Sequence, residues 1–136
     1  KELRSYRGAK HTLAMLDCCY GGTATFDGSG GPMRSSALGA EEAWTRDYAW
    51  AVITSGLATE PVLDQTPSLS MDLDHSPFAN AVLTAFRAGS SEITAQEIAV
   101  KVLRAYRDNG VSGQTPTYLL EPEQTKGQFV FFLGDQ

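Results

Sequence analysis

The chain has 136 residues, of which 42% are hydrophobic and 20% charged, and its formal net charge is −5. This length and composition are typical of one folded domain and exclude wholesale disorder. The acidic balance, without a Lys/Arg cluster, argues against a nucleic-acid partner. No apolar run approaches the roughly 20 residues that cross a bilayer, so a membrane partner is not expected either.

The chain is organised around residues 11–22, HTLAMLDCCYGG. The short apolar run 13–16, followed by a glycine pair, predicts a buried and parallel strand. Ligands of open α/β sheets bind outside the carboxyl ends of the strands, where Asp17 and Cys19 would lie on the same side of an extended backbone. This order favours a cysteine nucleophile beside an acid. A cysteine pair by itself is equally typical of small buried side chains.

The middle of the chain predicts a second strand between two loops. Residues 21–39 are rich in Gly, Pro and Ser and predict a long loop beside the first strand. Residues 48–55, YAWAVITS, are rich in aromatic and β-branched residues and predict the second strand. Residues 60–74 predict another loop, and because its acidic residues lack EF-hand spacing, no metal site is expected there.

Two helices and a last strand complete the chain. A helix is predicted to begin after Ser76, with Pro77 at its first position, and a second one begins with the capping box of Thr94 and Glu97. After a polar connection, residues 128–133, QFVFFL, predict the third strand. The sequence therefore predicts an α/β fold, with a mostly parallel sheet of about three strands flanked by two to three helices.

A cysteine nucleophile usually needs an imidazole that accepts its proton, and the chain has two histidines. His11 begins the strand that leads to Cys19, and an extended chain would hold the two residues roughly 25 Å apart at about 3.3 Å per residue. His75 follows a loop and could reach the groove, although its Ser-Pro context is more typical of a helix start. Neither histidine is a strong candidate for the general base.

The segment LAMLDCCYGG resembles the strand and catalytic-cysteine loop of caspase-like peptidases, in particular the metacaspase and bacterial caspase-like branch. The segments AVITSG, EPVLD, HSPFANAVLTAF and GQFVFFL are similar, in the same order, to the small-subunit half of bacterial members. The resemblance implies a cysteine endopeptidase with a caspase-like fold and no cofactor. It also implies that the chain is the C-terminal portion of one peptidase domain, with the cysteine strand and loop at 11–39 and a small-subunit-like part at 40–136.

The resemblance assigns Cys19 as the nucleophile and Asp17 as the acid at the base of the pocket for the P1 side chain. A carboxylate there favours Arg or Lys at P1 and repels Asp. Thr54 and Ser55 are expected to line the same pocket. The loop after the nucleophile is often a processing site in the family, so Arg34 is a candidate position for self-cleavage.

In the family the general base is a His in a His-Gly turn, and that segment would lie upstream of Lys1 or on a separate chain. The chain is therefore expected to be inactive alone, with a peptide or protein as its substrate. The two cysteines are adjacent, and since neighbours rarely form a disulfide, free thiols indicate a reducing compartment, the cytoplasm.

Two other interpretations remain open. One is a non-catalytic caspase-like module that acts as a regulatory or scaffold partner. The other is an unrelated α/β hydrolase or acyltransferase with a cysteine elbow. The second is disfavoured because no Gly stands two positions before Cys19, as the G-x-S-x-G pattern would require.

Overall fold

A computed structural model describes residues 8–19, 45–63, 75–88, 91–121 and 126–134. These residues form the strands and helices β1 (His11–Leu16), β2 (Ala49–Thr54), α1 (Pro77–Arg87), β3 (Glu92–Thr94), α2 (Ala95–Asp108), β4 (Thr117–Leu120) and β5 (Val130–Phe132). The α/β class predicted from the sequence is confirmed. None of the described helices has the length and apolar character needed to cross a membrane.

The main sheet has the strand order β1-β2-β4. β1 runs parallel to β2, with Leu16 opposite Thr54, as predicted, but its six residues are half-buried and not buried as expected, because β1 is paired on one side only among the described strands. β4 runs antiparallel to β2, with Thr117 opposite Thr54, so the described sheet is mixed. All six residues of β2 are buried, as expected for a central strand rich in β-branched and aromatic side chains.

The last predicted strand is present, but it lies in a different sheet. β5 pairs antiparallel with β3, and the two form a separate two-stranded sheet. β4 lies inside the segment that was predicted to be a polar connection, so that prediction was wrong at 117–120. Both errors concern strands of three or four residues, in which pairing with a distant partner outweighs the weak local pattern.

Both predicted helix starts are confirmed. The Ser76 hydroxyl accepts the backbone N–H of Ala79 at 3.0 Å, and Pro77 opens α1. At the start of α2, Thr94 and Glu97 form the predicted capping box. These side chains satisfy backbone N–H groups that a helix leaves unpaired in its first turn.

The core lies between one face of the main sheet and the two helices. Ala51 and Ile53 of β2 pack there with Phe78 of α1 and with Ile98 and Val102 of α2. Ile98 and Val102 are fully buried, and burial of a side chain of this size stabilises the fold by about 1.5–3 kcal/mol. The core thereby fixes the sheet whose strand ends carry the candidate site.

Candidate active site at the carboxyl ends of β1 and β2

The two parallel strands end side by side. β1 ends at Leu16 and is followed by Asp17, Cys18 and Cys19, all of which are exposed. The residue after β2 is Ser55, whose backbone N–H donates to the carbonyl of Leu16 at 2.9 Å. The structure therefore brings the acid, the cysteines and the end of β2 to one edge of the sheet, where α/β proteins commonly bind ligands.

Cys19 has a free and exposed thiol. Its sulfur accepts the backbone N–H of Val62 at a nitrogen–sulfur distance of 3.5 Å. Val62 lies 43 residues further along the chain, in the segment that follows β2. The thiol is thus accessible to an electrophile and is contacted by a hydrogen-bond donor from a second segment. Cys18 is also free and exposed.

Asp17 accepts a hydrogen bond from a residue that the sequence identified only as a helix cap. The Ser76 hydroxyl donates to Asp17 Oδ2 and at the same time accepts the N–H of Ala79. The carboxylate therefore lies at the amino end of α1, where the helix dipole favours negative charge. A sequence pattern gives the cap but not this second contact, because the two residues are 59 positions apart.

Tyr106 of α2 is a second polar neighbour of Asp17. Only 3% of the residue is exposed, and its hydroxyl has no hydrogen-bond partner among the described residues. Burial raises the pKa of this hydroxyl above its ordinary value of 10.0, and the negative charge of Asp17 raises it further. The hydroxyl therefore stays neutral at physiological pH.

Thr54 and Ser55 are completely buried. Thr54 Oγ1 donates to the carbonyl of Gly56 at 2.9 Å. Thr54 Oγ1 also lies 2.7 Å from Thr117 Oγ1. Because Thr54 donates its single hydroxyl proton to Gly56, Thr117 is the donor in this second hydrogen bond. Thr54 thus joins β2 to β4. The Ser55 hydroxyl is buried without a partner among the described residues. Their expected role in substrate binding stays a prediction.

Gln114 holds the segment that contacts Cys19. The Gln114 side chain is buried, and its amide nitrogen donates to the carbonyl of Ser55 at 2.8 Å. Its amide oxygen accepts the N–H of Leu63 at 3.1 Å. One side chain therefore ties the beginning and the end of residues 55–63 together, next to the Val62 N–H that reaches the sulfur. No local sequence pattern indicates this role, because the contacts of Gln114 join residues more than 50 positions apart.

Glu60 fixes the same segment from its other side. Its carboxylate accepts the N–H groups of Leu57 and Thr115 at 3.0 and 2.7 Å, and the Thr115 hydroxyl at 2.9 Å. Burial alone would raise the pKa of this carboxyl, but these hydrogen bonds outweigh it and lower the pKa below its ordinary value of 4.5. Glu60 therefore stays ionised and connects residues 57–60 to the segment before β4.

The two histidines lie in different places. His11 begins β1, at the end opposite Cys19, and its Nε2 lies 2.8 Å from the carbonyl of Asp47. Because a carbonyl only accepts, Nε2 carries the proton and the ring is committed to this bond. His75 is exposed and directly precedes Ser76, and its carbonyl accepts the side chain of Asn80 at 3.4 Å.

Some predicted features lie outside the described residues. These are Arg34 with the whole of the loop 21–39, and the acidic residues within 64–74. In the described part of the chain, no group of three or more His, Cys, Asp or Glu side chains is arranged to hold a metal ion.

Comparisons with protein-family models, with curated proteins and with solved structures gave no match. The function is therefore inferred from the residues at this edge of the sheet and from their contacts.

Proposed function

We propose that the chain is the nucleophile-bearing part of a caspase-like cysteine endopeptidase that cleaves after Arg or Lys. One observation carries the proposal: Asp17 and the free thiol of Cys19 are both exposed at the end of β1, beside the end of a parallel strand. An accessible thiol next to a fixed carboxylate combines a nucleophile with a group that attracts a cationic side chain.

In this proposal the Cys19 sulfur attacks the carbonyl carbon of the scissile peptide bond. The thiol proton passes to a histidine and from there to the departing amine, while the acyl group stays on sulfur as a thioester. A water molecule then attacks the thioester and releases the acid and the free thiol. The backbone N–H of Cys19 contributes one donor to the oxyanion that forms in each step.

Asp17 determines the preference for the P1 residue. Its carboxylate pairs with a guanidinium through two hydrogen bonds or with an ammonium as a point charge, and it repels an acidic side chain. The contact with Ser76 holds the carboxylate at the amino end of α1.

The general base in this proposal is a histidine on an upstream segment or a separate polypeptide. The His11 ring is held by Asp47 at the far end of β1, which argues against it. β1 pairs only with β2 among the described strands, so its other edge can accept the strand that would bring the histidine. The free thiols of Cys18 and Cys19 support a reducing compartment such as the cytoplasm.

The test is hydrolysis of matched fluorogenic peptides with Arg, Lys, Asp or Leu at P1. It uses the protein as isolated together with any chain that purifies with it, and compares Cys19→Ala with Cys18→Ala. Cys18 is a matched control because it is an exposed, free thiol one position away. We expect cleavage after Arg and Lys that Cys19→Ala abolishes and Cys18→Ala retains.

Two outcomes contradict the proposal. Cleavage that survives in Cys19→Ala would show that another group is the nucleophile. No cleavage, in a preparation shown by mass to contain the histidine-bearing segment, would favour the non-catalytic regulatory or scaffold module. His75→Ala is included in the same series, and loss of activity in that variant would replace the upstream histidine with His75 as the base.

A further inference from the structure

Ser76 contacts two elements through one hydroxyl group. Its oxygen accepts the N–H of Ala79 at 3.0 Å and thereby caps α1, and its proton is donated to Asp17 Oδ2 at the end of β1. A helix cap needs only the first of these two contacts. The second one fixes an exposed carboxylate that would otherwise rotate freely about its side-chain bonds.

The Asp17 carboxylate keeps part of its binding capacity in this arrangement. Ser76 is its hydrogen-bond partner in the described part of the chain and occupies Oδ2. A carboxylate offers about four lone-pair sites on its two oxygens, so Oδ1 and the remaining site on Oδ2 stay available. Two oxygens of fixed orientation match the two parallel N–H groups of a guanidinium.

We infer that Ser76 is a positioning residue that orients the Asp17 carboxylate for a guanidinium group of the substrate. The inference deepens the proposed function and rests on it in one respect, that Asp17 binds the P1 side chain. It adds the N-cap residue of α1 to the determinants of specificity. The ligand class is a guanidinium, in preference to a neutral group of the same shape.

The start of α2 shows what a cap without this role looks like. The Thr94 hydroxyl accepts the N–H of Glu97 at 3.1 Å and lies 2.9 Å from the carboxylate of the same residue. Both of its contacts stay within α2. Thr94→Ala is therefore a matched control, because it removes a hydroxyl cap of the same kind without touching Asp17.

The experiment measures ligand binding, so that it does not depend on catalysis. The full chain, with any chain that purifies with it, is titrated by NMR with N-acetylagmatine, which carries a guanidinium, and with the neutral urea of the same shape. The variants are Ser76→Ala, Ser76→Thr, Thr94→Ala and Asp17→Asn. Circular dichroism of each variant verifies that it is folded.

We expect the native chain to bind the guanidinium at least about tenfold more tightly than the urea, since hydrogen bonds to charged groups have this magnitude. Asp17→Asn removes the discrimination, Ser76→Ala lowers it about threefold, as expected for the loss of one positioning hydrogen bond, and Ser76→Thr restores it because threonine keeps the hydroxyl. Thr94→Ala leaves it unchanged.

Three results would overturn the inference. They are equal binding of the two ligands by the native chain, unchanged discrimination in folded Ser76→Ala, and an equal loss in Thr94→Ala. Failure of the proposed function gives a different result. If the chain binds the guanidinium but cleaves no peptide, the role of Ser76 stands and the peptidase assignment is wrong. If Ser76→Ala cleaves peptides with the native preference for Arg, the inference about Ser76 is wrong and the proposed function stands.

Discussion

The two helices begin with similar caps that direct their hydroxyl protons differently. In α2, Thr94 faces Glu97 at the third helical position, and the two residues satisfy each other. In α1 the third position is Ala79, which has no side chain that could accept the Ser76 proton, and that proton goes to Asp17 on β1. The residue at the third helical position therefore decides where the proton of the capping hydroxyl is donated. We call a cap closed when this proton is donated within the same helix, and open when it is donated to another element.

The open cap of α1 lies at the candidate site, whereas the closed cap of α2 lies in the scaffold. A closed cap contributes to the stability of its own helix, whereas an open cap couples the helix to a distant group. Variants that close the α1 cap, open the α2 cap or remove the Asp17 acceptor test this comparison directly.

The largest expected effect follows from removing the acceptor that only the α1 cap uses. Asp17→Asn eliminates the charge that attracts a basic P1 residue, so kcat/KM for an Arg peptide is expected to fall about 10- to 100-fold. The value for the matching Leu peptide is expected to change little. A parallel decrease for both peptides would mean that Asp17 supports the nucleophile and does not select the side chain.

Opening the closed cap is expected to affect stability alone. Thr94→Ala removes the hydroxyl of the capping box, and the free energy of unfolding should fall by about 1–2 kcal/mol, measured by urea unfolding. The ratio of Arg to Leu cleavage should stay at the native value. A change in that ratio would show that the start of α2 is coupled to the site.

Glu60 extends the comparison to a third segment. It accepts the N–H of Leu57, three residues earlier, as Glu97 accepts that of Thr94, and it also binds Thr115. Because its pKa is lowered on folding, Glu60 contributes stability above pH 4.5, and this contribution is lost as the pH falls through the folded value.

The variant Glu60→Gln should therefore show a shallower loss of unfolding free energy between about pH 5 and pH 3 than the native chain. The difference is expected to stay below about 1 kcal/mol, since the group is partly solvated. Equal pH dependence of the two proteins would mean that the carboxylate hydrogen bonds do not persist in solution.

Tyr106 offers a smaller test on the α2 side of Asp17. The Tyr106 hydroxyl is buried without a partner among the described residues, which is unfavourable, so Tyr106→Phe is expected to leave the free energy of unfolding unchanged or raise it by up to about 1 kcal/mol. Thermal unfolding measures this change. A decrease of more than about 1 kcal/mol would show that the hydroxyl has a hydrogen-bond partner.

The smallest expected effect comes from closing the open cap. Ala79→Gln places an amide at the third position of α1, where it can complete a capping box with Ser76. Stability should rise by about 0.5 kcal/mol, while the Arg to Leu ratio falls by about twofold as the hydroxyl is drawn away from Asp17. An unchanged ratio, with the stability gained, would show that Asp17 keeps its orientation without Ser76.

The features that the sequence predicted are local ones. The caps at Ser76 and Thr94 depend on residues three positions away, and β1 and β2 are marked by continuous apolar runs. β4 has only four residues, TYLL, and exists because it pairs with β2 more than 60 positions earlier. A short segment of this kind carries little local preference, so its strand could not be predicted from its own residues.

The candidate site likewise combines local features, which the sequence predicts, with long-range contacts, which it does not. The position of Asp17 and Cys19 directly after β1 follows from the strand pattern and is confirmed, whereas the extended backbone expected between them is wrong, because the chain bends at Cys18 and turns at Cys19. Their contacts with Ser76 and Val62 join residues 59 and 43 positions apart, and they depend on how the helices and the segment after β2 pack. Such contacts follow from the tertiary fold, which periodicity and capping rules do not specify.

The central place of β2 has a consequence for motion at the site. Because β2 is hydrogen-bonded on both sides and buried throughout, its amide hydrogens should exchange with solvent only when most of the domain opens. β1 is half-buried and paired on one side among the described strands, so its end should open more readily. Thr54 at the end of β2 then belongs to a slowly exchanging floor, while Asp17 and Cys19 lie on a rim that can adjust to an incoming peptide.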